Sequence, residues 1–201
     1  VDYTSFEQVK LEIGAHENVD DSKLATYVTA ASRSVDRYCT GAQDSAGDNY
    51  FAISTLTDEV LTGWADSDSY VSTYLHKPTI SGVTALSWRV TPRDSWTAVA
   101  STDIVTDGSP LVRGYAPGYV IGRVFLKVTY SGGLAATVAA LPSDFVENVA
   151  VIAARFYREG EAGVSDVIGV GDLGQLMYRK ALPNRVYLFL AAYVRRIPWR
   201  L

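Results

Sequence analysis

Apolar residues change their spacing twice along this chain, and the changes divide it into three zones. In the first, about residues 4–41, Leu24, Tyr27, Val28, Ala31, Val35, Tyr38 and Cys39 recur at three- and four-residue intervals. That spacing predicts a helix with one apolar face. Asn18-Val19-Asp20-Asp21-Ser22 supplies its turn and N-cap, and Gly41 its stop. A shorter helix carrying Phe6, Val9 and Leu11 precedes it, with Thr4 and Glu7 spaced as a capping box.

The second zone, about 49–131, is dominated by Val, Thr, Tyr, Trp and Ser in short alternating runs. Strands are predicted at 50–56, 70–75, 83–90, 96–99, 111–112 and 123–130, separated by breakers such as Asp107-Gly108 and Pro117-Gly118. Short strands at this spacing predict a small antiparallel sheet or barrel.

Helical spacing returns at Leu141-Pro142-Ser143-Asp144, a helix opening with proline and an acid in its first turn. Val146, Val149, Ala150, Ile152, Ala153, Phe156 and Tyr157 line one face behind it. A link from Gly160 to Gly174 then leads to a second helical region ending at Arg196, whose final stretch from Leu182-Pro183 reads as a short amphipathic helix. The expected fold class is therefore α+β. The N- and C-terminal helices, 1–48 and 141–201, form one helical bundle, with residues 49–140 as an inserted small antiparallel β-sheet or barrel domain. There is no internal repeat and no low-complexity tract.

Composition narrows the function more than the fold. With 201 residues and 48% hydrophobic content the chain can bury a core unaided. A single cysteine, Cys39, excludes an internal disulfide, and its place in a helical apolar pattern favours a buried thiol over a nucleophile. His16 and His76 lie in different kinds of segment and do not supply the ligand spacing of a zinc site. No metal or other cofactor is expected. No apolar run reaches the length of a membrane span, and the first residues predict no secretory signal.

Charge is distributed unevenly. The chain is acidic overall, at −4, and residues 1–48 hold nine acidic against four basic residues. From Leu173 to Leu201 there is no acidic residue, while Arg179, Lys180, Arg185, Arg195, Arg196 and Arg200 are basic. Such a tail, ending in Ile197-Pro198-Trp199, fits a nucleic acid or an acidic protein surface. Charge alone fits equally a helix whose basic end complements its own dipole.

Catalytic motifs are weak. Gly169-Val170-Gly171-Asp172-Leu173-Gly174 matches G-x-G-x-x-G by letter, but no βαβ pattern surrounds it and the later ribose-binding acid is missing. Asp58/Glu59 and Asp66/Asp68 sit in turn-like polar segments and read as solvated loops rather than an acid–base pair. A calcium loop at Asp66-Ser67-Asp68 lacks the later glycine and acidic ligand. Of the four tryptophans, Trp64, Trp88 and Trp96 lie in the β zone, and Trp199 sits between Pro198 and Arg200 as the expected contact residue.

Four stretches, in this order and spacing, resemble the head–tail connector family of tailed bacteriophages, also called adaptor or head-completion proteins. Ser5-Phe6-Glu7-Gln8-Val9-Lys10, Asp20-Asp21-Ser22-Lys23-Leu24 and the run to Tyr38-Cys39-Thr40-Gly41 are similar to that family's two opening helices. Leu75-His76-Lys77-Pro78-Thr79-Ile80-Ser81-Gly82-Val83 resembles its first characteristic strand. Val128-Thr129-Tyr130-Ser131-Gly132-Gly133 followed by Leu141-Pro142-Ser143-Asp144-Phe145 resembles its strand-to-helix junction. Leu182-Pro183, Val186, Leu190, Tyr193, Arg195 and Arg196 fall where its terminal helix motif falls. The chain departs from the smaller members at roughly 85–125 and 160–180.

The resemblance implies a non-enzymatic virion protein of the neck, assembled in the host cytoplasm. It implies a ring, commonly of twelve copies, beneath the portal, that joins portal to tail and continues the DNA channel. Partners would be further copies of the chain, the portal protein, the downstream neck or tail protein and, transiently, double-stranded DNA, with no membrane. The C-terminal segment would reach the portal through Arg185, Tyr193, Arg195, Arg196, Trp199, Arg200 and Leu201. Rival readings are another neck protein (a stopper or tail terminator), a ligand-binding β module with an exposed tryptophan platform, and an enzyme using the Gly169–Gly174 stretch or Asp/His pairs.

Overall fold

A computed structural model describes residues 2–14, 20–40, 49–116, 118, 121–162, 167–170, 175–178 and 184–194. They fall into two compact units. One is built from both ends of the chain, Val1–Asn49 and Thr137–Val194, and the other from the intervening stretch Tyr50–Ala136.

The intervening unit is a seven-stranded antiparallel sheet of β1 (Ser54–Ala65), β2 (Tyr70–Tyr74), β3 (Ile80–Arg89), β4 (Thr97–Ala98), β5 (Ile104–Thr106), β6 (Leu111–Tyr115) and β7 (Gly122–Gly132). The strands lie in the order β4-β3-β7-β1-β2-β6-β5. Strict alternation along β7 sends Val124, Leu126, Val128 and Tyr130 into the core, where Val71, Leu86, Val112 and Trp88 meet them. The sheet curls until β5 lies beside β3. The Val99 N–H reaches the Leu86 carbonyl at 2.9 Å, and the Ile80 N–H reaches that of Gly108 at 3.0 Å. Gly114 makes the curl possible, because a Cβ there would strike the Leu86 side chain and stand 3.2 Å from Val99.

Sequence and structure differ at β1. The strand expected at 50–56 starts at Ser54 and runs to Ala65, through the segment read as a polar turn. A bulge absorbs the irregularity. The β1–β7 register shifts between Leu56 and Glu59, and Asp58 takes a positive φ of 55°. Its N–H is satisfied by the Thr129 hydroxyl at 3.0 Å. Bulges of this kind carry one unpaired residue and increase the local twist. The three-residue edge strand β5 was not expected either.

The other unit contains α1 (Phe6–Ile13), α2 (Asp21–Thr40), α3 (Ser143–Ala162) and α4 (Asn184–Leu190). Ser5, one residue after the expected Thr4, caps α1 by accepting the Gln8 N–H at 3.3 Å. Asp20 caps α2 through the Ser22 N–H at 2.9 Å. Of the expected stripe of α2, Leu24, Val28, Ala31, Val35 and Cys39 are buried, while Tyr27 and Tyr38 at its margins are half-buried. α3 packs against both α1 and α2, and buries Phe145, Val149, Ala150, Ile152 and Ala153. The region expected to be a link followed by helix holds a hairpin instead, β8 (Val167–Val170) with β9 (Gln175–Tyr178). Among the described residues beyond β9, Asn184–Leu190 is helical.

Candidate functional site

The C-terminal helix is where charge, aromatic content and the family resemblance converge, so its seating decides what the tail can do. α4 has seven residues, too few to be stable alone in water, and depends on packing. Val186 and Leu190 provide it and are fully buried. Phe189 and Tyr193 extend the same face, their rings 6.0 Å and 5.7 Å from that of Phe145 in edge-on geometry. The Tyr193 hydroxyl is held above its usual pKa by burial first, then by the negative charge of Asp144. Tyr193 therefore works as an anchor of the helix. Arg185 forms an ion pair with Glu147 on α3. Both side chains are more than half exposed, so the pair adds at most about 1 kcal/mol.

Arg195, Arg196, Trp199, Arg200 and Leu201 lie outside the described residues. The described structure brings Arg185 and Tyr193 together with α3 instead of presenting both outward. What α4 does present is Leu188, 74% exposed, and Tyr187, 51% exposed with its ring 5.4 Å from Tyr38. Helical spacing could have found them: a helix buried through Val186 and Leu190 turns Leu188 away from the core.

Other candidate chemistry resolves into structure. Gly169 and Val170 close β8, so the G-x-G-x-x-G stretch enters a hairpin and not the strand-to-helix turn that cradles a pyrophosphate; its residues 171–174 lie outside the described residues. Glu59 accepts the Tyr130 hydroxyl at 2.7 Å, and burial first, then the Glu59 charge and hydrogen bond, push the tyrosine pKa strongly upward. Asp66 organises the β1–β2 turn, accepting the N–H groups of Tyr70 and Asp68 and the Arg113 guanidinium at 2.8–3.0 Å, which lowers its pKa. His76 is buried against the Tyr50 ring, and His16 lies outside the described residues. Among the described residues no group of three His, Cys, Asp or Glu is placed to hold a metal ion. No described helix is long and apolar enough to cross a membrane.

Cys39 is fully buried, and burial first, then the charge of Asp36, raises its pKa to about 12. The thiol is protonated at neutral pH and is a poor nucleophile. The native protein should resist a thiol reagent at about pH 8 and react promptly once denaturant is added. The stability that this neutral thiol contributes is complete below its ordinary value of 9.0 and is lost as pH rises toward about 12.

The tryptophans do not make one platform. Trp88 is buried in the core, Trp64 is 45% exposed on the outer face of β1, and Trp96 is half-buried under Arg89. The depression that Trp88 lines with Ala65, Ser69, Val71 and Ala116 is too tight to admit a water molecule.

No protein-family model matches the chain, and no curated protein matches it in sequence. Solved structures do. A chain from the neck of an empty GTA particle, computed with C6 symmetry, is 20% identical with a TM-score of 0.52. A chain from the virion of a native gene transfer agent (GTA) particle is 20% identical with a TM-score of 0.51. Each comparison covers 99% of this chain and 94% of the other. What they share is the fold.

Proposed function

We propose that this chain is a non-enzymatic structural protein of a phage-type neck. It forms a ring that joins the portal to the tail and continues the DNA channel. The observation that carries this reading is the full-length match in fold to a chain of a GTA neck. It is supported by the order of connector-like motifs along the sequence. A ring of twelve copies, the number the family resemblance implies, is compatible with six-fold symmetry. In this reading the helices form one bundle and the basic segment after α4 docks on the portal through Arg195, Arg196, Trp199, Arg200 and Leu201. Arg185 and Tyr193 fix the direction in which it leaves. The remaining partners are the downstream neck or tail protein and, in passing, duplex DNA. An acidic chain of net charge −4 lets DNA slide because it offers few clustered cations to neutralise phosphates. The particle is assembled in the host cytoplasm.

Native mass spectrometry of the chain mixed with its portal tests this directly. The expected result is a complex holding a fixed multiple of copies; a chain that stays monomeric beside the portal overturns the proposal. A chain lacking residues 195–201 should fold normally and lose portal attachment. Undiminished docking by that truncation would remove the tail from the interface.

A further inference from the structure

The outer face of the β unit carries cations that their own chain leaves only partly engaged. Arg89 on β3 and Phe125 on β7 are register partners, and Arg123 and Lys127 flank Phe125 on the same side of β7. The loop after β3 is folded back by Asp94, whose carboxylate accepts the Thr91 N–H at 2.7 Å. It delivers Trp96 to this face, where the Arg89 guanidinium sits 4.2 Å from the indole centre and Lys127 Nζ 5.7 Å away. Arg89 also lies 5.9 Å from the Phe125 ring, and Arg123 5.7 Å. The cation–π contact with Trp96 restrains the Arg89 guanidinium, so binding through it loses less conformational entropy. Lys127 has a carboxylate neighbour, Asp58 at 3.7 Å. Arg89 and Arg123 have none among the described residues, and the buried Arg89 Nε–H finds no acceptor among them.

A complementary surface exists on the same chain. The exposed stripe of α1 is Glu7, Gln8, Leu11 and Glu12, with Leu11 69% exposed. Among the described residues neither carboxylate has an ion-pair partner. The stripe spans about 7.5 Å along the helix, while Arg123 and Lys127 stand about 13 Å apart along β7. The length of the Arg123 and Lys127 side chains is enough to span the difference to two carboxylates, an arrangement that would set Leu11 opposite Phe125. Val60, 54% exposed, and Trp64 continue the basic face with apolar area across β1. Tryptophan, arginine and exposed aliphatic side chains together are the composition of a protein interface core rather than of a phosphate groove.

We infer that this face docks the α1 stripe of a second copy of the chain. The two surfaces differ, so the contact is head-to-tail, and it closes into a ring when its rotation allows. The inference rests on the ring proposed above and specifies its interface.

Charge reversal tests it through sedimentation equilibrium of the purified full-length chain. Wild type should self-associate, whereas Arg123→Glu and Glu7→Lys should each weaken association by about tenfold or more. The chain carrying both substitutions should recover it, because position 7 of one copy then meets position 123 of the next with the signs exchanged. Recovery also excludes misfolding as the cause of the single-variant losses. Single variants that associate like wild type overturn the inference and leave the neck reading standing. So does a wild type that is monomeric at every concentration, since the portal experiment is independent of it. Loss of retention on duplex DNA by Arg123→Glu, with self-association unchanged, also overturns the inference and assigns the face to nucleic acid.

Discussion

Phe145→Ala is expected to lower the unfolding free energy by about 3–5 kcal/mol. It should also release α4 before the rest of its unit unfolds. Phe145 is fully buried near the start of α3, and its ring meets Tyr3 at 5.7 Å, Phe189 at 6.0 Å and Tyr193 at 5.7 Å. One side chain thus pins the N-terminal segment and the C-terminal helix to the same point. Truncation removes the transfer free energy of the ring, opens a cavity and forfeits edge-on contacts worth about 0.5–1.5 kcal/mol each. A helix of seven residues has little propensity to spare, so the loss is felt first in α4. Hydrogen exchange reads this locally: amides of 188–193 should lose protection in the variant while those in the middle of α2 keep theirs. Uniform loss across both would show that α4 unfolds only with the unit as a whole. Phe145→Leu, which retains most of the volume, should sit between the variant and wild type. In a neck assembly the variant should dock on its portal more weakly without any change in the docking residues, because their direction of exit is no longer fixed.

The long amphipathic helices were legible because burial and periodicity coincide. The three- and four-residue steps from Leu24 to Cys39 are the buried stripe of α2 itself. β7 was legible for the same reason at period two. β1 was not, because its alternation is interrupted by a bulge at Asp58 that sequence patterning reads as a turn. The β8–β9 hairpin failed differently. Its glycines read as a link, and the Leu176-Met177 pair has helical propensity that strand pairing overrides. The tail reads from sequence as basic and aromatic, but the inward seating of Tyr193 depends on where Phe145 lies, 48 residues earlier in the chain. The outer β face was hidden by register. Arg89 and Phe125 become neighbours only when β3 pairs with β7, and no local pattern specifies that pairing. One signal was available: Arg123-Val124-Phe125-Leu126-Lys127 alternates basic, apolar, aromatic, apolar, basic, which announces a solvent-facing side with an unusual content.

Asp36→Ala should destabilise the helical unit by about 3 kcal/mol, through unsatisfied partners instead of a cavity. Asp36 is a buried carboxylate in α2, 1% exposed. It accepts the Tyr3 hydroxyl at 2.6 Å and the Asn49 N–H at 2.9 Å, and faces the Arg33 guanidinium at 3.4 Å. Removing it strands a buried phenol and a backbone N–H and leaves a half-buried guanidinium without this counter-charge. The first two each cost about 1–3 kcal/mol when they find no substitute. Water entering the space recovers part of that, which keeps the total near the lower end of what breaking a buried ion pair costs. A double-mutant cycle separates the contributions: Tyr3→Phe alone removes one donor, and in an Asp36→Ala background it should cost much less than it does in wild type. Strict additivity in denaturant melts would mean that the two residues do not act through this hydrogen bond. The consequence reaches beyond stability. Asp36 fastens Tyr3 on one side and Asn49 on the other, so it fixes where the chain enters α1 and where it leaves the helical unit for the sheet. If α1 supplies the contact between copies, Asp36→Ala should weaken self-association at temperatures well below its own melting transition. Arg123 and Glu7 are untouched in that variant, and only the placement of α1 changes.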